Sequence, residues 1–369
     1  MKKLFYIPLI LIMLACNALD KKTEVSPFDP AVRVNGRFAK EVVGKDTVLR
    51  TSFSGTSFTI AFEGTEASIL LKSPANVFNI ALNGKQMPPL DLSTNNEEKH
   101  LIAKNLENGI HVISVSKRTE SSQGDDIFKG FEIKGTPKKE ALPPEPKLKI
   151  EFLGNSITAG YGVLDSIKEN TYSPITEDVF SSYAGVAARE LKAEMRTVAF
   201  SGRGIYRNHP DSKDERPLPD FFPYISVNEN IPWDFSWQPN IVVINLGTND
   251  FALGEPDSAK FVDSMVEFAK QVNEKYPKSE IVVIDGPMLN DFYPEGVTSL
   301  TLCRNFLDAA KNELAKQGLA VHRFSLSPQD GSLGYGADWH PSKEQSEKNG
   351  KELAEFLIYY IPRICANSM

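Results

Sequence analysis

The pattern of apolar and polar positions changes style once along this chain. From about residue 31 to 135 the apolar residues come in short, often alternating segments: SFTIAF (57–62), ASILLK (67–72), VFNIAL (77–82), GIHVISVSK (109–117) and IFKGFEIK (127–134). Period-2 segments bounded by turn signals read as β-strands, and Asn83-Gly84 directly after VFNIAL suits a tight hairpin. No helical period occurs there, so an all-β sandwich over 31–135 is the economical expectation. GTPKKEALPPEPK (135–147), rich in proline and lysine, then marks a semi-rigid linker, placed at 136–148.

Beyond it the apolar runs LKIEFL, MRTVAF, NIVVINL, EIVVID and LAVHRFS alternate with helix-length amphipathic segments near 181–192, 257–276, 298–317 and 342–361. Such alternation predicts βαβ units around a parallel five-stranded sheet with flanking helices, an α/β domain over 149–369. Ser342 and Gln345 stand at capping-box spacing before the last helix, and Gly318 follows the third as a C′ residue.

In open α/β sheets ligands bind beyond the carboxyl ends of the strands, and the unusual residues here fall at those ends. The first strand runs into Gly154-Asn155-Ser156, the second into Ser201-Gly202-Arg203, the third into Gly247-Thr248-Asn249-Asp250, and past the fifth comes Asp338-Trp339-His340. Ser156 taken alone is either a nucleophile or a helix cap. As a nucleophile it needs a base within hydrogen-bond reach, and His340 is the candidate, with Asp338 two residues before it to orient the imidazole. The backbone N–H groups of Ser156 and Gly202 and the side-chain amide of Asn249 are candidate donors for an oxyanion.

These blocks resemble the SGNH (GDSL-like) hydrolases, with Ser156, Gly202, Asn249 and His340 in the family's order over residues 149–345. The sequence has Gly-Asn-Ser where the family usually has Gly-Asp-Ser, and its acid lies two rather than three residues before the histidine. That spacing, GNSITAGYG, INLGTND and the preceding β domain look like carbohydrate esterase family 2. The resemblance implies a jelly-roll domain before a flavodoxin-like SGNH domain. It also implies removal of O-acetyl groups from carbohydrate, leaning toward the 6-hydroxyl of hexoses, with no cofactor. In that family the acid is sometimes absent, which makes Asp338 the least secure member of the set. The rivals are an SGNH lipase or thioesterase for longer acyl groups, and a carbohydrate-binding surface protein with a vestigial site.

Other residues change this picture little. Trp339, beside the base, is a candidate sugar platform, whereas Trp237 leads into a buried strand and reads as core. His322 reads as a packed or edge residue, and His209, in the polar stretch 203–223, as a solvated loop residue with a substrate contact as the alternative. A metal site would have to gather His209, Asp211, Asp214 and His340, and no HxxxH, HExxH or CxxC spacing supports it. The loops 203–223 and 290–296, expected beside the serine, hold Arg, Asp, Asn, Pro and aromatic residues, walls suited to sugars rather than an alkyl tail.

The first sixteen residues, MKKLFYIPLILIMLAC, place two lysines before an apolar run that ends at Ala15-Cys16. That layout is a secretory signal, too short for a membrane span and similar to a bacterial lipoprotein processing site at Cys16. Residues 17–30 then read as a polar tether to a membrane-anchored, exported protein. With 41 basic against 48 acidic residues, a net charge of −7 and no basic run, a nucleic-acid partner is not expected. Cys303 and Cys365 read as two isolated buried thiols or, in an oxidising compartment, as a pair, and sequence does not supply the Cα separation that decides between them.

Overall fold

The computed structural model describes residues 22–94, 97–212 and 215–361. Cys16, Cys365 and Asp214 lie outside them.

The first part is antiparallel β throughout: β1 (Lys22–Val25), β2 (Val32–Asn35), β3 (Phe38–Val43), β4 (Asp46–Thr51), β5 (Ser57–Lys72), β6 (Val77–Leu82), β7 (Lys85–Asp91), β8 (Lys99–Ala103), β9 (Gly109–Lys117) and β10 (Asp126–Pro137). They follow the order β3-β4-β10-β5-β9-β6-β7, with β1 on β10 and with β2 and β8 on β5. Long β5 exchanges partners along its length. Its first half pairs with β2 and β9, its second half with β8, and β10 runs alongside from Phe62 to Lys72. Phe58, Ile60, Phe62, Ile69, Phe78, Val115, Phe128 and Phe131 are all buried in the core so enclosed.

Several expected boundaries move. SFTIAF and ASILLK are one strand, since β10 follows β5 through the polar stretch between them, with a register shift at Lys134/Gly135. The tether ends earlier than residue 30, because Lys22–Val25 pairs with Phe131–Lys134. The linker begins later than 136, because β10 continues to Pro137, and Lys139–Ala141 forms a 3₁₀ turn. Asn83 and Gly84 both have positive φ, 51° and 76°, as a type I′ hairpin between β6 and β7 requires.

The second part is a parallel sheet of β11 (Lys149–Gly154), β12 (Glu194–Ala199), β13 (Ile241–Asn245), β14 (Glu280–Asp285) and β15 (His322–Ser325), in the order β12-β11-β13-β14-β15. A one-turn helix α1 (Ser156–Ala159) follows β11, then α2 (Tyr183–Glu190), α3 (Ser258–Lys275), α4 (Ser299–Lys316) and α5 (Lys343–Tyr360). Sheet residues Phe152, Val243 and Ile284 pack with Tyr183 of α2 and Leu353 and Leu357 of α5. On the opposite face Leu153, Ile244 and Val283 pack with Phe261 of α3 and Leu307 of α4. Gly318 has φ +84° just past α4, and the Ser342 hydroxyl accepts the Gln345 N–H at 3.0 Å. Strand order reverses between β11 and β13, and a ligand site is expected at their carboxyl ends.

The two parts are joined by buried polar contacts. Arg37, at 1% exposure, donates to the Glu151 carboxylate of β11 at 2.9 Å and to the carbonyls of Phe222 and Tyr224. Its guanidinium also lies 5.2 to 5.6 Å from the Phe222, Phe235 and Trp233 ring centres. Ser54 and Thr197 share a second contact at 3.2 Å, and Ser226 donates to Asp125 at 2.8 Å.

Candidate active site

β11 runs buried to Gly154, and Asn155 turns the chain into α1 by accepting the Ile157 N–H at 3.1 Å. The helix cap is therefore Asn155, and Ser156 is the first helical residue. A first-turn N–H has no acceptor within its own helix, so the Ser156 amide is available to a ligand. Asn155 also accounts for the departure from Gly-Asp-Ser, since its side-chain oxygen serves the same acceptor role.

Ser156 Oγ lies 2.8 Å from His340 Nε2. On the other side of the ring, Nδ1 faces the backbone carbonyls of Ala337 at 3.1 Å and Asp338 at 3.2 Å. Carbonyls only accept, so Nδ1 carries the proton, and Nε2 presents its lone pair to the serine hydroxyl. Enclosure of the ring strips its solvation and pushes its pKa down to about 4, although both carbonyls favour the charged form. The imidazole is thus neutral at ordinary pH.

This geometry corrects the role expected of the Asp338 side chain. Its carboxylate does not reach Nδ1 but accepts the Tyr161 hydroxyl, and only its main-chain carbonyl faces the histidine. Asp338 and Trp339 have φ of 48° and 60°, and in this turn the Ala337 and Asp338 carbonyls reach Nδ1. Tyr161 was missed by sequence reasoning, though it stands in the GYG after the serine. Its ring stacks on His340 with centroids 4.3 Å apart.

The candidate oxyanion donors expected besides Ser156 come from two further strand ends. Gly202 follows β12 with φ +77°, a left-handed conformation that favours glycine, and a Cβ there would also displace the Ser212 hydroxyl. Asn249 Nδ2 donates one hydrogen to the Arg203 carbonyl at 2.9 Å, and a primary amide has a second to offer. Its neighbour Asp250, also missed, accepts the N–H groups of Ile205 at 2.9 Å, Tyr206 at 3.1 Å and Arg207 at 2.9 Å. Burial raises the Asp250 carboxyl to about 6, against the pull of those three donors. Gly-Thr-Asn-Asp thereby braces the loop that bears Gly202, a signal that was present in the sequence.

Ser156, Gly202, Asn249 and His340 all line one cavity of about 500 Å³. Its wall includes Asp211 from the loop after Gly202 and Asn290, Tyr293 and Pro294 from the loop after β14. His209, expected in solvent, also lines it, and its N–H donates to the Gly202 carbonyl at 2.8 Å. Trp339 is half exposed and is not among the lining residues; Tyr335 packs on its edge, and the Lys168 ammonium sits 4.0 Å from its ring centre. Trp237 is half-buried beneath Arg196 rather than in the core. His322 lies on edge strand β15, bonded to Glu280. Among the described residues no cluster of acidic, histidine or cysteine side chains has the arrangement of a metal site. Cys303 is buried as a free thiol.

A strand-end serine with a histidine partner, on a doubly wound sheet, defines a GDSL-like hydrolase domain, and the GDSL-like lipase/acylhydrolase family model matches residues 152–347. The model for the carbohydrate esterase 2 N-terminal domain matches residues 34–144. The structure of a family two carbohydrate esterase from Clostridium thermocellum, in complex with cellohexaose, aligns with a TM-score of 0.82 and 33% identity, over 90% of this chain and 99% of that one. The chain belongs to carbohydrate esterase family 2. The cellulase/esterase CelE of Acetivibrio thermocellus is 36% identical over 85% of this chain, which spans only 38% of that protein's length. An acetylxylan esterase/glucomannan deacetylase of Cellvibrio japonicus is 25% identical over 93% of this chain and 94% of its own length.

Proposed function

We propose that this protein is a serine esterase that removes O-acetyl groups from carbohydrate. The observation that carries the proposal is the 2.8 Å contact between Ser156 Oγ and a neutral His340 Nε2, in a cavity that Gly202 and Asn249 also line.

Ser156 attacks the acetyl carbonyl while His340 Nε2 takes the hydroxyl proton. The N–H groups of Ser156 and Gly202 and the free hydrogen of Asn249 Nδ2 hold the resulting oxyanion, each such donor contributing on the order of 10²- to 10³-fold in rate. Collapse breaks the bond to the sugar oxygen, which leaves with the proton from His340. Water, deprotonated by the same nitrogen, then releases acetate and restores the serine. The backbone carbonyls of Ala337 and Asp338 stabilise the imidazolium formed in each half-reaction.

Phe251, Met288 and Leu289 also line the cavity and suit an acyl group, each buried CH₂ contributing about 0.8 kcal/mol, while Asp211, Asn290 and Tyr293 offer a sugar polar partners and a ring face. The names of the relatives point the same way. Acetate release from 6-O-acetylated hexose polymers, and much faster cleavage of acetyl than octanoyl esters, are the expected results. A kcat/KM that climbs from two to eight acyl carbons would instead make the protein a lipase.

The proposal places the enzyme outside the cytoplasm, tethered by a lipid on Cys16, because the apolar run 4–14 ends at Ala15-Cys16 before a polar stretch. Membrane fractionation that is lost in Cys16→Ser supports this. A mature N-terminus at any other residue overturns it.

A further inference from the structure

Glu120 belongs to the β domain, just after β9, where it precedes the 3₁₀ turn Ser121–Gln123. It is only 3% exposed, yet its side chain crosses into the hydrolase domain. Oε2 accepts the backbone N–H of Ser201 at 2.7 Å, and Oε1 accepts the Ser122 hydroxyl at 2.6 Å. The Glu120 N–H donates to the carboxylate of Glu177 at 3.2 Å, and that same oxygen accepts the Tyr172 hydroxyl at 2.6 Å. Burial raises both carboxyls and the Glu120 charge raises Glu177 further, while Arg203 pulls Glu120, and Lys117 pulls Glu177, the other way. A pair so unfavourable to bury is a poor choice for packing alone.

Its placement relative to the chemistry gives it another role. Ser201 immediately precedes Gly202, so the peptide that ends in the Gly202 N–H hangs between two anchors. On one side Glu120 holds the Ser201 N–H. On the other, the Gly202 carbonyl accepts the His209 N–H at 2.8 Å and the Ser212 hydroxyl at 3.2 Å. The rotation of that peptide decides where the Gly202 N–H points, and an oxyanion donor is effective only when aimed in advance. A second line of contacts runs from Glu177 through Tyr172 to Tyr161, whose rings lie 5.0 Å apart, and on to His340.

We propose that Glu120 is a positioning residue that aims the oxyanion donor Gly202, so that the β domain completes the hydrolase site. This rests on the esterase reading above. The acceptor atom matters, not the charge: a neutral amide oxygen at the same place holds the Ser201 N–H, whereas a carboxylate one methylene shorter withdraws from it.

The test compares full-length Glu120→Gln, Glu120→Asp and Glu120→Ala with the native chain and with Ser156→Ala on a soluble acetyl ester, with thermal unfolding of each. Glu120→Gln is expected within about threefold of native kcat. Glu120→Asp and Glu120→Ala are expected to lose at least about tenfold in kcat with KM within about twofold, a fraction of what deleting a whole oxyanion donor removes. Glu120→Asp within twofold of native kcat overturns the inference, as does a loss in KM alone. So does a loss that only follows the unfolded fraction, or a Glu120→Gln as impaired as Glu120→Ala. If Glu120→Ala does not fold, the Gln and Asp variants decide. Should the native chain cleave no acetyl ester, or Ser156→Ala remain active, the esterase reading itself fails and takes this inference with it.

Discussion

The Tyr161 hydroxyl donates to the carboxylate of Asp338, and the acid nearest the His340 imidazole is thereby engaged elsewhere. His340 is oriented by main-chain carbonyls instead. Asp338→Ala is therefore expected to cost less than about tenfold in kcat, against the ~10⁴-fold seen when a true triad acid is replaced. Steady-state kinetics on an acetyl ester check this, and a loss equal to that of His340→Ala would make the carboxylate a triad member. Tyr161→Phe should fold and lose a similarly small factor.

Ser156→Ala and His340→Ala should each abolish nearly all turnover without lowering the unfolding temperature. The two groups act as a unit across one hydrogen bond, so the double variant is expected to be no worse than either single. A double variant slower by a further large factor would show that they act independently.

The pH dependence follows from the His340 shift. The working form is the neutral imidazole, and its folded pKa of about 4 lies below the 6.5 of a free histidine. As pH falls, the limb of kcat/KM that reports His340 should appear only near 4, below any smaller step near 6 from Asp250, whose carboxylate braces the Gly202 loop. The linked stability is fully present above the unfolded value and is lost as pH falls toward the folded one. A pH–rate profile with its acid limb centred on 6.5 would contradict the burial argument.

Arg37→Met should destabilise strongly, because it leaves the Glu151 carboxylate, 0% exposed, without its cation. Breaking a buried pair this way costs about 3–5 kcal/mol, a drop of roughly 10 °C in melting temperature. Replacing both partners with apolar residues, Arg37→Met with Glu151→Leu, should recover a good part of it. Calorimetry on the single and double variants separates these outcomes.

Sequence period revealed the strands that build cores. VFNIAL and GIHVISVSK match β6 and β9 end to end, and all four long helical segments lie within a few residues of their expected places. β1, β2, β3, β4, β7 and β8 escaped notice because they are short, with at most three buried positions each, and owe their conformation to the strands beside them. Ser156, Gly202, Asn249 and His340 could be read because each sits in a short block at a strand end. Glu120 could not, since its partner Ser201 is 81 residues away in another domain and nothing local distinguishes it from a surface glutamate. Asp338 misled for a related reason: spacing places a side chain near a histidine but does not say which of its oxygens, side chain or main chain, turns inward.

Glu151 stands buried in β11, one strand in from the edge of the hydrolase sheet, where a solitary domain would carry an aliphatic residue. The hydrolase half has accepted a charge whose hydrogen-bonded guanidinium comes from its neighbour, with Arg196 of the adjacent strand beside it, so it is not a freely portable module. A fusion or graft that moved the hydrolase half alone would leave that carboxylate without the guanidinium that bonds it. In this architecture the unit that can be transplanted between proteins is the pair.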